Sequence, residues 1–372
     1  MIYLDNAATS FPKPRTVLAE VSKYIRRDCG NPGRSGHRLA ARAAEAVYLA
    51  REEIASFFGC ENPERVIFTS NATHALNLAI KSQIKANCHV LCSDIEHNSV
   101  VRPLERLRRD IGIEYSCFSL DGDLYANLTE AVRADTEAIV CTLASNVTGN
   151  RADVKALSRF AKERGLKLIL DASQLAGHEA IDLRATPCTA LCAPGHKGLF
   201  GLQGSGFVIF DDDYDTDGLM EGGSGFDSVS ADMPHALPER YEAGTLATPS
   251  IVSLSAGIRF IRSVGIDNIA AKLDGLTKMA KDSLSDISGA RVLGAEGGIV
   301  CFNVADIPSL RVEAELDALG ICVRSGLHCA PSAHRLLGTL NGGTIRASFS
   351  YFNREADVRR LSDGILKIIR GR

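Results

Sequence analysis

The feature that most constrains the fold is a regular alternation of short apolar runs with helical patterns between residues 65 and 210. The runs are nearly continuous in apolar residues, which is typical of strands covered on both faces. They lie at 65–69, 89–93, 137–143, 167–170, 189–193 and 206–210. Helical patterns lie between them near 73–84, 100–110 and 154–164. This alternation predicts an α/β protein with a mostly parallel sheet and right-handed crossovers.

The C-terminal third follows a different pattern. A helix near 251–264 leads out of the first unit, and a further helix precedes a strand near 298–304. Helices near 312–319 and 355–369 then alternate with strands near 321–324 and 344–350. This predicts a smaller α+β domain. We expect an N-terminal segment (1–15) near the small domain and the active site, a large domain (16–255) and a small domain (256–372).

Charge and hydropathy narrow the function classes. The net charge is −3, so a nucleic-acid-binding surface is not expected. The N-terminus shows no basic and apolar signal pattern, and no apolar run approaches the roughly 20 residues that span a bilayer. The sequence therefore predicts a cytoplasmic protein.

The cysteines predict neither a disulfide framework nor a metal site. There are eleven, an odd number. The closely spaced pairs Cys88 with Cys92 and Cys188 with Cys192 lie in or beside apolar runs, which indicates buried thiols. Only Cys329 lies in a polar, glycine-containing loop where a reactive thiolate is expected.

Several polar residues follow the predicted strands. His97, Asn146, Asp171 and Lys197 each come after an apolar run. Ligands bind at the carboxyl ends of strands in open parallel sheets, so we expect these side chains to share one site. Strand-end aspartate, lysine and a loop cysteine together are typical of a pyridoxal phosphate enzyme that breaks a bond to sulfur.

A phosphate site is predicted between the first strand and its helix. Amides at the helix N-terminus, including those of Ala72 and Thr73, would hold a phosphate together with the Thr73 hydroxyl. An ordinary helix cap is the alternative. The dinucleotide glycine fingerprint is missing, so NAD is not expected.

Nine short motifs occur in an order that resembles the class V aminotransferase superfamily and, within it, the cysteine desulfurases. The loop around Cys329 is similar to the short-loop, type II (SufS-like) branch, which also contains selenocysteine lyases. The motifs are Tyr3-Leu4-Asp5-Asn6-Ala7-Ala8-Thr9, Asn71-Ala72-Thr73, Glu96-His97-Asn98-Ser99, Ser145-Asn146-Val147-Thr148-Gly149, Asp171-Ala172-Ser173-Gln174, His196-Lys197, Glu242-Ala243-Gly244-Thr245, Arg324-Ser325-Gly326-Leu327-His328-Cys329-Ala330-Pro331 and Ile345-Arg346-Ala347-Ser348.

The resemblance implies a type I PLP fold and a role for each residue around the cofactor ring. Lys197 would bind pyridoxal 5'-phosphate covalently and move the substrate Cα proton. Asp171 would pair with the pyridine nitrogen, and Gln174 would contact the ring hydroxyl. His97 would stack on the ring, and Asn146 would lie near the cofactor oxygen or the substrate carboxylate.

The resemblance also implies how the phosphate is held. Thr73 and His196 would contact it within one subunit. Thr245 would reach the phosphate of a neighbouring subunit, which implies a homodimer with shared sites.

For the substrate, the resemblance implies conversion of L-cysteine to L-alanine. Arg346 would bind the substrate carboxylate, and Arg324 would support the cysteine loop. The Cys329 thiolate would attack the substrate sulfur and keep it as a persulfide. Asn6 and Ala7, with the 31–38 loop and its His37, would line the entrance.

Two positions depart from the family pattern. Pro194 replaces a serine that commonly supplies a phosphate hydroxyl, and His74 lies where relatives often carry glutamate. The proline removes one hydroxyl or requires another source for it. The histidine is expected to add charge near the phosphate or to change the surroundings of the cysteine loop.

Three other functions remain open from the sequence. A selenocysteine lyase would depend less on Cys329, because a C–Se bond is weaker. Another class V reaction, such as that of an aminotransferase or epimerase, would leave Cys329 without a role. A non-catalytic sulfur carrier or scaffold would have no need of Lys197.

We expect a sulfur-acceptor or scaffold protein to dock near Cys329. Iron–sulfur cluster assembly, tRNA thiolation and cofactor biosynthesis all use such donors, and the sequence does not choose among them.

Overall fold

The computed structural model describes residues 1–33, 35–212, 214, 216–226 and 228–371. Arg34, part of the predicted entrance loop, lies outside them. The chain begins with a short strand β1 (Ile2–Tyr3) and two helices, α1 (Arg15–Arg27) and α2 (Arg38–Phe58). In these described ranges no helix combines the length and apolar character that a membrane crossing requires.

A seven-stranded sheet forms the centre of the protein. Its strands are β2 (Val66–Thr69), β3 (His89–Ser93), β4 (Glu114–Phe118), β5 (Thr136–Thr142), β6 (Lys167–Asp171), β7 (Ala190–Pro194) and β8 (Gly206–Phe210). Four helices connect them: α3 (Ala72–Gln83), α4 (Asn98–Ile111), α5 (Leu124–Ala131) and α6 (Val154–Arg164). The spatial order is β2-β8-β7-β6-β5-β3-β4. Only β8 runs antiparallel to its neighbours, which confirms the predicted mostly parallel sheet.

The central strands are stable because both of their faces are covered. Along β5, Ile139 packs into the hydrophobic cluster on one face and Val140 into the cluster on the other. Leu168 and Ile169 alternate in the same way along β6. Successive side chains of a strand point to opposite faces, so this burial explains the continuous apolar runs of the sequence.

The C-terminal part forms a smaller antiparallel sheet with helices. It comprises α7 (Thr248–Val264), α8 (Ile266–Ser285), β9 (Ala290–Glu296), β10 (Ile299–Val304), α9 (Ser309–Ala318), β11 (Ile321–Cys322), β12 (Arg324–Gly326), α10 (Pro331–Leu336), β13 (Thr344–Ser348) and α11 (Glu355–Arg370). The strand order is β12-β13-β10-β9, and β1 pairs in parallel with β11. The predicted α/β class with a smaller α+β part is confirmed.

Several elements were not predicted from the sequence, namely β1, α1, α2, β4, α5, β9 and α10, whereas α8 lies where a helix is expected before the 298–304 strand. The edge strand β4 shows why: of its residues only Phe118 is buried, so it contains no apolar run. The prediction of a single strand over 321–324 is wrong, because this stretch contributes to two strands, β11 and β12, which pair with different partners.

Candidate active site

The polar residues that follow the strands of the large sheet line one cleft with an empty volume of about 500 Å³, including its opening. It lies at the carboxyl ends of β3, β5, β6 and β7, beside the start of α3. Its lining includes Ala72, Thr73, His97, Asn146, Asp171, Gln174, His196 and Lys197. The structure thus brings together every predicted cofactor-binding residue except Thr245.

Asp171 and Lys197 form the charged centre of this cleft. Asp171 ends β6, is 3% exposed and accepts a 2.9 Å hydrogen bond from the Ser173 amide through Oδ1. Burial lowers the pKa of Lys197 to about 8, and the nearby Asp171 carboxylate opposes that shift. A lysine amine with such a pKa is neutral in a useful fraction of molecules near neutral pH, as a nucleophile requires.

His97 is held by its own helix start. As the N-cap of α4 it accepts the Ser99 amide through Nδ1 at 3.0 Å, and the Ser99 hydroxyl lies 2.9 Å from the same atom. Burial lowers the pKa of His97, so the ring is neutral with its proton on Nε2.

Ser99 is a site residue that the sequence analysis did not assign. Its Oγ lies 2.7 Å from Oγ1 of Thr73, and both residues line the cleft. Ser99 therefore supplies a hydroxyl beside Thr73. Pro194, which replaces the serine common in the family, lines the same cleft without a hydroxyl. The only sequence signal was its place in the Glu96-His97-Asn98-Ser99 motif.

Hydrogen-bonding groups without a partner among the described residues line the cleft beside the start of α3. The N-cap Asn71 accepts the amide of His74 at 2.9 Å, so the cap leaves the amides of Ala72 and Thr73 free for a ligand. The buried Nδ1 of His196 has no hydrogen-bond partner in the part of the chain that the structure describes. Burial lowers the pKa of His196 to about 4, so the ring is neutral.

The surroundings of His74 favour the neutral form of its ring. Burial lowers its pKa below the usual value, and its Nδ1 lies 3.4 Å from both the amide and the hydroxyl of Ser70. A neutral His74 ring that contacts its own turn stabilises the turn and adds no charge to it.

Arg346 and Arg324 form a second charged group. They occupy directly opposite positions on β13 and β12. Arg346 is 1% exposed and donates to Asp5 Oδ1 at 2.7 Å and to the main-chain oxygen of Asn146 at 2.8 Å. Its Nε has no partner within the described residues. Two opposed arginines against one carboxylate leave a net positive site suited to an anion.

Cys329 lies on an exposed loop with an unusual backbone. His328 and Cys329 both have left-handed φ angles, 49° and 58°. The loop is fixed to the large sheet because Asn146 Nδ2 donates to the His328 oxygen at 2.7 Å and the Asn98 amide donates to the Cys329 oxygen at 2.8 Å. Non-glycine residues in this region cost about 1–3 kcal/mol each and cluster at functional sites.

Cys329 lines a second cleft that adjoins the first. Thr73, His97 and Ser99 line both. The thiol and the Lys197 amine therefore open onto adjoining spaces.

The ring of His328 points away from this space. It is buried in the small sheet, with Nε2 3.2 Å from Thr344 Oγ1 and its ring centroid 5.6 Å from that of His334. Burial lowers the pKa of His328 to about 2. Its position next to Cys329 in the sequence therefore does not make it a base for the thiol.

The remaining predicted residues lie at the margins. Asn6 is buried, and its side chain joins the N-terminal segment to Ser348 and Asn353 and accepts the Phe11 amide within that segment. The Ala7 oxygen accepts from Gln174 Nε2 at 3.1 Å. His37 is exposed and caps α2.

Thr245 lies in a separate cleft. That cleft is also lined by residues 31–33 and by Tyr48 and Phe226. The structure of a single chain therefore does not bring Thr245 to Lys197.

The expectation that only Cys329 is an exposed thiol is wrong. Cys29 and Cys117 are exposed as well. Cys117 lies on the edge strand β4, with its sulfur 3.6 Å from that of buried Cys92 on β3. A strand at the edge of a sheet is partly open to solvent, and the apolar character of the neighbouring residues does not reveal this.

Comparison with known proteins agrees with this site. The aminotransferase class-V family profile matches residues 2–361. A probable cysteine desulfurase of Methanothermobacter thermautotrophicus is 32% identical, over 99% of this chain and 94% of its own length. One of Streptomyces coelicolor is 32% identical, over 98% of this chain and 91% of its own. The apo structure of a cysteine desulfurase from Thermococcus onnurineus NA1 superposes with a TM-score of 0.93 at 28% identity, covering 100% of this chain and 95% of that one.

The fold and the lysine–aspartate cleft define a type I PLP enzyme, and the chain belongs to the aminotransferase class-V family. Its relatives place it more narrowly, in the cysteine desulfurase branch of that family.

Members of this family depend on pyridoxal 5'-phosphate, and the donors in the cleft suit it. Asp171 offers a buried carboxylate to a protonated ring nitrogen. The amides at the start of α3 offer donors to a phosphate, and His196 Nδ1, which has no partner among the described residues, lies in the same cleft. Lys197 offers an amine with a lowered pKa.

Proposed function

We propose that the chain is a cysteine desulfurase in which Lys197 holds the cofactor and Cys329 receives the sulfur of L-cysteine as a persulfide. One observation carries this proposal: the cleft of Cys329 and the cleft of Lys197 share Thr73, His97 and Ser99. A substrate held near Lys197 can therefore present its side chain toward Cys329.

Lys197 and Asp171 perform the proton chemistry. When bound, the cofactor supplies an electron sink for charge that develops at the substrate Cα. The Asp171 carboxylate keeps the ring nitrogen protonated. The Lys197 amine, displaced by substrate, is neutral often enough near pH 8 to take the Cα proton.

Arg346 orients the substrate by its carboxylate. Its unpartnered Nε and the opposed Arg324 favour an anion at this place, while Asp5 fixes the guanidinium plane. Fixing the carboxylate restricts the substrate to orientations in which its sulfur faces the Cys329 loop.

Cys329 then acts as the nucleophile. Its thiolate forms a bond to the substrate sulfur, the substrate Cβ–S bond breaks, and alanine leaves after protonation. The thiolate is the attacking species, so the thiol proton must leave first. The hydrogen bonds from Asn98 and Asn146 hold the loop in position for this step.

The working unit would be a cytoplasmic homodimer. Thr245 lines a cleft apart from Lys197, together with Tyr48 and Phe226. If a second copy of the chain binds at this cleft, the Thr245 hydroxyl of one subunit would contact the cofactor phosphate of the other. The persulfide would then pass to a sulfur acceptor, for iron–sulfur cluster assembly or another sulfur-requiring pathway.

The test compares wild-type protein with Cys329→Ala, each with pyridoxal phosphate, L-cysteine and a reductant, and measures alanine and sulfide together. We expect equimolar products from wild type and neither from the variant. Turnover of L-cysteine that survives the substitution would overturn the role of Cys329. Turnover of selenocysteine alone would indicate a selenocysteine lyase instead.

A further inference from the structure

The cleft that contains Cys329 continues outward between two helices. Its cavity volume is about 330 Å³, at the lower end of the size range of small-molecule sites. Asn77 and Lys81 of α3 form one wall, and Arg102 and Arg106 of α4 form the other. Each pair is four residues apart and therefore lies on one face of its helix.

This outer part of the cleft is positively charged. Among the described residues that line it, none is acidic. Arg106 is paired with Asp110 on its own helix. Lys81 and Arg102 are exposed and form no ion pair with any acidic side chain in the described ranges. The whole chain has a net charge of −3, so a basic cleft beside the thiol is a local feature and not a general one.

The positive charge extends to the reacting groups. Arg102 is among the charges that lower the pKa of His97, which lies between the two clefts. An anion in the outer cleft would thus come near Cys329 and meet Lys81 and Arg102, which pair with no carboxylate of the described residues.

We propose that the acceptor that takes sulfur from Cys329 is a small thiol with an anionic group, and that Lys81 and Arg102 bind that group. The proposal rests on the proposed function, because it requires a persulfide on Cys329. It adds the chemical class of the acceptor and the residues that select it.

The transfer step is balanced without an added oxidant. The acceptor thiolate attacks the terminal sulfur of the Cys329 persulfide, a new S–S bond forms, and the bond to Cys329 Sγ breaks. Cys329 leaves as a thiolate and the acceptor becomes a persulfide. The anionic group remains in the cleft and takes no part in bond exchange.

The experiment loads the PLP-containing enzyme with a single turnover of L-cysteine, measures the alanine formed, and removes free substrate. Transfer is then timed with 2-mercaptoethanesulfonate and with the neutral 2-mercaptoethanol. We expect wild type to transfer sulfur about tenfold faster to the sulfonate than to 2-mercaptoethanol, because two partly screened charge contacts would hold the sulfonate. The preference should disappear in high salt.

The variant Lys81→Gln/Arg102→Gln should lose this preference, because its rate with the sulfonate should fall by more than its rate with 2-mercaptoethanol. The matched control Lys85→Gln/Arg109→Gln removes the same charge from exposed positions outside the cleft. This control should keep the preference for the sulfonate. Equal wild-type rates with both thiols, or a preference that survives in the cleft variant, would overturn the proposal.

A cysteine peptide rich in glutamate serves as a further acceptor. Faster transfer to this peptide than to the sulfonate at equal concentration would overturn the small-molecule assignment. Failure to form alanine in the loading step would count against the proposed function itself, so the two failures are distinguishable.

Discussion

The side-chain amide of Asn146, after β5, donates a 2.7 Å hydrogen bond to the main-chain oxygen of His328, the residue before Cys329. The contact spans 182 residues of sequence and joins the large sheet to the cysteine loop. It holds a loop in which two consecutive residues have left-handed backbones. The position of the thiol is therefore set by the cofactor-binding sheet as well as by its own domain.

Replacement of Asn146 by alanine should slow sulfur transfer more than the earlier proton step. A lost neutral hydrogen bond costs about 0.5–1.5 kcal/mol, which corresponds to a roughly threefold to tenfold slower formation of the Cys329 persulfide. Exchange of the substrate Cα proton with solvent deuterium should slow by less than formation of the persulfide. Asn98→Ala is the control, because Asn98 contacts the loop through its main chain. An equal loss of both rates in Asn146→Ala would contradict this role.

Arg346→Lys should raise the KM for L-cysteine. Lysine keeps the charge beside Asp5 but loses the planar donor set, and hydrogen bonds to charged groups are worth about 1.5–3 kcal/mol, or roughly 10- to 100-fold. The visible cofactor spectrum should be unchanged, which excludes misfolding as the cause. Arg324→Lys should have a smaller effect, since Arg324 is only partly buried. An unchanged KM in Arg346→Lys would show that the carboxylate is bound elsewhere.

Capture of pyridoxal phosphate by the apoenzyme should depend on pH through Lys197. Burial lowers the pKa of this amine to about 8, and only the neutral amine attacks the cofactor aldehyde. The capture rate should therefore rise about tenfold per pH unit below pH 8 and level off above it. The visible band of lysine-bound cofactor measures the rate.

Arg324 is one of the positive charges that lower the pKa of Lys197. Arg324→Gln should therefore move the midpoint of the capture profile to higher pH. A midpoint near the ordinary lysine value in wild type would contradict the burial of this amine.

Much of the site could be predicted from the sequence because it lies at strand ends. His97, Asn146, Asp171 and Lys197 follow buried strands, and parallel topology alone places such residues at one edge. Ser99 and Asp5 were not assigned, because their roles depend on contacts to Thr73 and Arg346, which are far away in the sequence. A serine or an aspartate carries no local pattern that reveals a distant partner.

The exposed thiol of Cys117 should react with iodoacetamide at lower pH than an ordinary cysteine. A hydrogen bond from Cys92 is the largest cause that lowers its pKa, which falls to about 7, and the nearby positive charge of Arg335 acts in the same direction. In a background lacking Cys29 and Cys329, alkylation should reach half its maximum near pH 7. Cys92→Ala should shift that midpoint toward the usual value of 9.0. A midpoint already near 9.0 with Cys92 present would rule out this interaction.

Glu96 is a buried acid that links the ends of two strands. Its Oε1 accepts from the Ser93 hydroxyl at 2.5 Å and from the Thr142 amide at 2.7 Å. Its Oε2 has no partner within the residues described. Burial raises the pKa of Glu96 to about 8, and the Asp171 carboxylate acts in the same direction. At neutral pH the folded protein therefore keeps this carboxyl protonated.

This proton makes folding sensitive to pH. The unfolded chain releases it above the ordinary value of 4.5, whereas the folded protein holds it to about pH 8. Its contribution to stability is therefore fully present below pH 4.5 and is lost as the pH rises to 8. The loss is at most about 1.4 kcal/mol per pH unit. Glu96→Gln removes the proton equilibrium and keeps an oxygen for both hydrogen bonds.

The thermal midpoint of wild type should therefore fall relative to that of Glu96→Gln between pH 6 and pH 8, when both are measured as apoprotein. Glu105→Gln is the control, because Glu105 is only partly buried and a hydrogen bond from Arg108 lowers its pKa, so it does not titrate in this range. Other groups that titrate between pH 6 and pH 8 are common to all three proteins and cancel in the differences. Parallel midpoints for wild type and Glu96→Gln would mean that Glu96 is already ionised at pH 6, and that the unpartnered Oε2 carries a charge in the core.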